Sequence, residues 1–436
     1  IMDIISQVIE EQREYFKCHR DGDYRVESPI LTSDYPEGLH LNPKGKSGIQ
    51  PSYLLFRNID ELKQMCVPDQ LAVMNNGGDL NWGLKGWKEK SGEYTEQQLS
   101  PLERADICHA FQQYIYGDSR LAESYRDILN RLYFQEPMMI PVYSAGKVVV
   151  KKGHPLILGD EGTSCTVLDC NELIVEEGAE IIAHGECQVT ADKLESESGA
   201  TFSIGRNGTN AEDETGRAAD GSKGNDGGQG RDSKDGCDVK ARDADRGANG
   251  DNGKNGQNGT SGTNGAGVEY KVKQMIGTHY VFSYGGNGGN GGNGKDGGNG
   301  GEGGDAAKPT GHCAKGNPGY GGKGGAGGNG GAGGNGGNGG KVVIYFSQEE
   351  SPDARIQLLS PDEAEKLKGV SGRGGLPGKG GKAGHGGKGG KTIDDKGNYV
   401  PSEAKYDGPD GGEGGNGAPG TPGIPGEVYV NGLYIG

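Results

Sequence analysis

Four side chains between 165 and 187 could bind a soft metal: Cys165, Cys170, His184 and Cys187. Thiolate and imidazole donors suit zinc, but this spacing lacks the paired short gaps of structural zinc sites. Inert cysteines stacked in a β core are the better reading. Cys18-His19, with Asp21 and Asp23, is a second set, and it reads as the solvated end of a helix. Cys108-His109 sets a thiol beside an imidazole, the parts of a nucleophile and its base. Adjacent residues of a helix point about 100° apart, so these two are poorly placed to act together. Two stretches approach a phosphate loop and fail. Gly390-Lys391-Thr392 needs glycine at 385, where His385 stands, and Gly45-Lys46-Ser47 needs it at 40, where His40 stands. No cofactor, metal or catalytic residue is expected.

The remaining candidates are for recognition rather than reaction. Three polar segments, 231–246, 306–315 and 392–407, interrupt the glycine-rich part of the chain. They carry Arg231, Asp235 and Arg242, then Lys308, His312 and Lys315, then Tyr399, Lys405 and Tyr406. Loops held on a rigid scaffold are where binding residues concentrate. Tyr399 and Tyr406 are the anchors such a surface would use. The plain alternative is three solvated turns.

The scaffold is read from glycine. Of 89 glycines in 436 residues, 72 follow residue 204. Their phase is three: Gly247 to Gly265, Gly285 to Gly303, Gly316 to Gly340, Gly372 to Gly390 and Gly411 to Gly426 are unbroken. A shorter run, Gly221 to Gly230, follows Gly205 and Gly208. A period of three fits neither the α-helix nor the strand, and it fits a left-handed threefold helix. Such a helix has no internal hydrogen bonds, so its amides need partners on neighbours. Collagen fits only at 417–426, where proline enters, and a calcium-binding repeat would have a period of nine.

Branched and aromatic segments bound the runs: 202–204, 268–272, 280–284, 342–346 and 427–430. These read as strands. The expectation is three hairpins that leave a β layer, turn at the polar segments and return. The Gly-Gly-Asn repeats in 285–293 and 327–339 resemble those of polyglycine-II bundle proteins. Phage tail-fibre tip adhesins and the antifreeze proteins of snow fleas are such groups. Gly339-Gly340-Lys341-Val342-Val343-Ile344-Tyr345 is similar in style to the N-terminal domain of Obg GTPases. The resemblance implies a tail-fibre-like adhesin and carries over no individual residue. Recurrent outward Lys and Asp argue against ice binding.

In 141–204 one template recurs: Val148, Val150, Gly153, Leu156; Leu173, Val175, Gly178, Ile181; Leu194, Ser196, Gly199, Phe202. It fits a small β-solenoid or a run of hairpins. Residues 1–140 have helical patterning, and Ser100-Pro101-Leu102-Glu103 is a strong helix start. The expected fold class is α+β and multi-domain: a helical domain (1–140), a β base (141–204) and a bundle of about six polyglycine-II helices in three hairpins (205–436).

A formal charge of −16 argues against nucleic acid as a partner. No apolar stretch is long enough to span a membrane. The expected function is a non-enzymatic structural protein, extracellular or virion-associated with the cytoplasm as the alternative, whose tip loops bind a cell-surface receptor or glycan. The N-terminal domain would dock a protein partner or a second copy of the chain. The alternatives are a secreted toxin or effector component, and an enzyme with its site in the N-terminal domain.

Overall fold

The computed structural model describes residues 4–22, 24–42, 49–74, 78–81, 83–88, 99–160 and 165–436. Asp23 and Gly45-Lys46-Ser47, weighed above, lie outside them. The chain begins with α1 (Ile4–His19), β1 (Ile30–Leu31), β2 (Leu39–Leu41), β3 (Ser52–Phe56), α2 (Ile59–Met65) and α3 (Asp69–Met74). There follow α4 (Pro101–Tyr116), α5 (Arg126–Tyr133), β4 (Met138–Val150), β5 (Leu156–Leu158), β6 (Thr166–Val175), β7 (Glu180–Ala183) and β8 (Cys187–Ile204). The glycine-rich part adds β9 (Arg231–Ser233), β10 (Gly236–Val239), β11 (Val268–Tyr284), β12 (Val342–Phe346), β13 (Arg355–Leu358) and α6 (Pro361–Lys368). It ends with β14 (Thr392–Ile393), β15 (Tyr399–Val400), β16 (Val428–Val430) and β17 (Leu433–Tyr434).

The fold is α/β, organised on one mostly parallel sheet of 13 strands, with six short α-helices among the described residues. This corrects the expected α+β, multi-domain class with its small base and its bundle of about six glycine helices. The reason is pairing at long range, which local periodicity does not report. Strand β11 lies between two glycine runs in sequence, yet it pairs with β8 in parallel from Val268↔Cys187 to Tyr284↔Ile204. Strand β12 then pairs with β11, and β16 with β12, both parallel. The strands expected to bound the glycine runs therefore belong to the same sheet as the expected base.

The repeated template marks the register of that sheet. Val148, Leu173 and Leu194 are partners, as are Val150, Val175 and Ser196. The pairing is parallel, so these are successive coils and not hairpins. Strand β11 supplies a further rung, with Met275 opposite Leu194 and Gly277 opposite Ser196. The aliphatic side chains of successive rungs stack into one core: Val148, Leu173, Val175, Ile181 and Val281 are fully buried. Each contributes roughly 1.5–3 kcal/mol through burial.

The helical layer is tied to this sheet by buried charge. Lys271 of β11 is 1% exposed. Its Nζ pairs with Glu269 at 3.2 Å and donates to the Met65 and Cys66 carbonyls at 2.9 and 3.1 Å, at the end of α2. Helix α4 begins as its sequence signals: Ser100 is the N-cap, Pro101 the first helical residue, and Glu103 closes a capping box.

The glycine-rich segments leave the sheet and return to it. Segments 205–230, 285–305 and 372–391 run outward, and 242–266, 316–340 and 408–426 run back; none supplies a strand of the sheet. The outward three bond side by side, with Gly208 N–H on the Asn287 carbonyl and Gly288 N–H on that of Arg373, both at 2.7 Å. The returning three do likewise, through Gly250 N–H to Lys323 O and Gly324 N–H to Pro409 O at 2.9 Å. Gly289 N–H to Thr260 O, at 2.8 Å, joins the two layers. Glycine is needed where segments meet: a Cβ on Gly331 would overlap the Gln257 carbonyl.

Candidate binding surface at the tips

The three polar segments fold into the turns where outward segments become returning ones. In the first, β9 and β10 form an antiparallel hairpin, with Gly236 opposite Ser233. In the third, β14 and β15 do the same, and Asp394 closes their turn by accepting the Lys396 and Asn398 amides at 2.9 and 2.8 Å. The Asn398 amide bond holds the Asp394 carboxyl below its ordinary range. The second turn is irregular, with Thr310 N–H on the Cys313 carbonyl and Cys313 N–H on the Thr310 hydroxyl, both at 3.0 Å.

The turns are fastened to one another. A disulfide joins Cys237 of the first to Cys313 of the second across 76 residues of sequence. Cys313 is 3% exposed. Asp232 of the first accepts the Thr310 hydroxyl and the His312 amide, the latter at 3.1 Å. The Thr310 bond pulls the Asp232 carboxyl down. The second turn meets the third through Lys315 Nζ, which donates to the carbonyl of buried Ile393. Lys308 Nζ stands 5.0 Å from the centre of the Tyr399 ring. Just below, the rings of Tyr320 and Tyr406 lie 4.9 Å apart, and Lys405 sits 5.3 Å from Tyr406. Lys405 also pairs with Glu403 at 2.9 Å, and that bond raises its affinity for a proton.

Of the nine residues expected to bind, Lys308 stands against Tyr399 and Lys405 against Tyr406, while His312 and Lys315 bond neighbouring turns. Arg231 spends its guanidinium on Asp238, at 2.8 and 3.0 Å. Asp235 is exposed in the first hairpin's turn and Arg242 is exposed where the second segment begins, and neither bonds another of the nine. Tyr399 and Tyr320 are 45% and 53% exposed, so ring surface is open to a partner. Sequence reasoning missed Cys237, Cys313, Thr310 and Tyr320. A usable signal existed: one cysteine in each of two neighbouring turns.

Of the soft-metal candidates, Cys165 lies close enough to Cys187 for the two thiols to interact electrostatically. Cys170 and Cys187 are buried in the sheet core, and burial pushes both thiols well up. Among the described residues no group of three or more His, Cys, Asp or Glu could hold a metal ion. Cys18 and Cys108 are exposed, on α1 and α4 respectively. His19 stacks on Tyr15 with ring centres 4.1 Å apart and bonds its carbonyl through Nδ1 at 2.9 Å. At the near-match to a phosphate loop, Gly390 N–H is committed to the Gly319 carbonyl at 2.9 Å. The first segment has an acidic concavity, lined by Thr209, Glu212, Asp213, Glu214 and Gln257, away from the tips.

No protein family, no curated protein and no solved structure matches this chain. No helix among the described residues is long and apolar enough to cross a membrane.

Proposed function

We propose that this is a non-enzymatic binding protein whose three tip turns act as one receptor-recognition surface, presented on the glycine-rich body at a distance from the sheet. The observation that carries it is the fastening of turns remote in sequence: the Cys237–Cys313 disulfide, the Asp232 bonds to the second turn, and the Lys308–Tyr399 stack onto the third. Solvated turns need no such cross-links. A recognition surface does, because ordering loops in advance lowers the entropic cost of binding. The disulfide also favours an oxidising, extracellular setting. The style of the glycine repeats resembles that of tail-fibre tip adhesins and adds to this reading.

The test is binding of the labelled chain to bacterial, insect and mammalian cells, beside a variant with all three turns cut to short glycine links. Binding of the intact chain to one panel, lost in the variant, is the expected result. Equal binding by both, or by neither, overturns the reading.

A further inference from the structure

Residues 366–393 are exceptional in a chain of charge −16. They contain Lys366, Lys368, Arg373, Lys379, Lys382, Lys388 and Lys391, and no Asp or Glu. Most of these cations fall on one phase of three. Arg373, Lys379, Lys382, His385, Lys388 and Lys391 share it, with Leu376 the one apolar member, and all seven positions are exposed. No other glycine-rich segment has a basic row; the last one carries Asp410, Glu413, Asn416 and Pro419 on its corresponding edge.

The row is held in register by its backbone. The amides of Arg373, Lys379, Lys382, His385 and Lys391 donate to side-chain oxygens of Asn287, Asn293, Asp296, Asn299 and Asp305, at 2.7–3.0 Å. Asp296 and Asp305 are thereby occupied by amides. Among the described residues, Lys379, Lys382 and Lys391 have no carboxylate partner. Arg373, His385 and Lys388 face Asp362, Asp410 and Asp407 at 3.4, 3.7 and 2.8 Å. Beside the row runs a ledge of small residues, Gly374, Pro377, Gly380, Ala383, Gly386 and Gly389, all half-exposed. The row ends at the tips.

We infer that this row is a track for a linear, sparsely charged polyanion, namely an acidic polysaccharide. Spacing decides between polymers. Three residues of extended chain span at most about 10 Å, so the cations recur at about that interval. Duplex DNA carries one charge per roughly 1.7 Å, far denser than this row can neutralise. A glycan with one carboxylate per disaccharide matches the sparse spacing of the row. The track does not depend on the tips binding a receptor.

The experiment uses the full chain on immobilised hyaluronan, with neutral dextran and single-stranded DNA as comparison surfaces, across a salt series. The test variant is Lys379→Gln/Lys382→Gln/Lys391→Gln. The control, Lys152→Gln/Lys254→Gln/Lys323→Gln, removes the same charge away from both the row and the tips. All six side chains are exposed, and circular dichroism checks folding. The expected result is salt-sensitive retention on hyaluronan alone, weakened about tenfold in the test variant and unchanged in the control. The variant with short tips keeps this retention, which separates the track from the tip reading. Absence of retention on hyaluronan, equal weakening in both variants, or stronger retention on DNA overturns the inference.

Discussion

Gly331 and Gly412 make a matched pair for testing what glycine does in the body. Gly331 lies where segments meet. Its N–H donates to Gly292 and its carbonyl accepts from Gly378, both at 2.8 Å, and a Cβ would overlap the Gln257 carbonyl. A methyl group there must push segments apart. Overpacking costs about 1–3 kcal/mol, and weakening the two hydrogen bonds adds about 1 kcal/mol each. Gly331→Ala is therefore expected to destabilise by about 4 kcal/mol. Gly412 has nothing within 4 Å of the same position. Gly412→Ala restricts only the unfolded chain and is expected to be neutral or to stabilise by about 0.5 kcal/mol. At about 2.1 cal/mol/K per residue, unfolding the whole chain carries about 0.9 kcal/mol/K, so Gly331→Ala lowers Tm by about 4 °C while Gly412→Ala does not. Scanning calorimetry reads both. Equal melting of the two variants would refute the argument from close backbone approach.

Two further outcomes follow from buried groups and from the tips. His279 is 1% exposed, between Ser196 at 3.0 Å, Thr201 at 2.7 Å and the Tyr270 ring, and burial lowers its pKa to about 4. The unfolded chain takes up this proton near pH 6.5, so the stability from a neutral His279 is complete above that pH. It is lost as pH falls from 6.5 to about 4, and amounts to about 3 kcal/mol. Denaturant midpoints across pH 4–7 should show the slope, and His279→Gln should flatten it. Cys237→Ser/Cys313→Ser opens the 76-residue loop, worth at most about 4.5 kcal/mol in the chain-entropy view. Because the flanking segments keep their backbone bonds, the loss should be local, with faster tryptic cleavage at Lys234 and Lys240 and little change in Tm.

Two local features of the structure were legible in the sequence. The Ser100 cap and the Val148/Leu173/Leu194 template report neighbours a few residues or one coil apart, and each corresponds to a structural feature. The fold class was not legible, because it rests on pairings such as Val268↔Cys187 across the excursion 205–267. Nothing in Val268–Tyr284 distinguishes a rung of the main sheet from a short flank. At the tips, residue type marked Lys308 and Tyr399 as exposed and adhesive in chemistry. It could not pair Asp232 with Thr310, because polar loop residues have many equivalent partners until the backbone brings two turns together.

The central claim is that three turns act as one surface, and replacing them one at a time tests it most directly. Each of 231–241, 306–315 and 392–407 is exchanged for a short glycine link, and binding to the responsive cell panel is titrated. If the surface is shared, each single replacement weakens binding by about tenfold or more, and double replacements cost less than the sum of singles because the turns support one another. Full affinity after removal of any two turns would contradict the account and leave the remaining turn as a self-sufficient site.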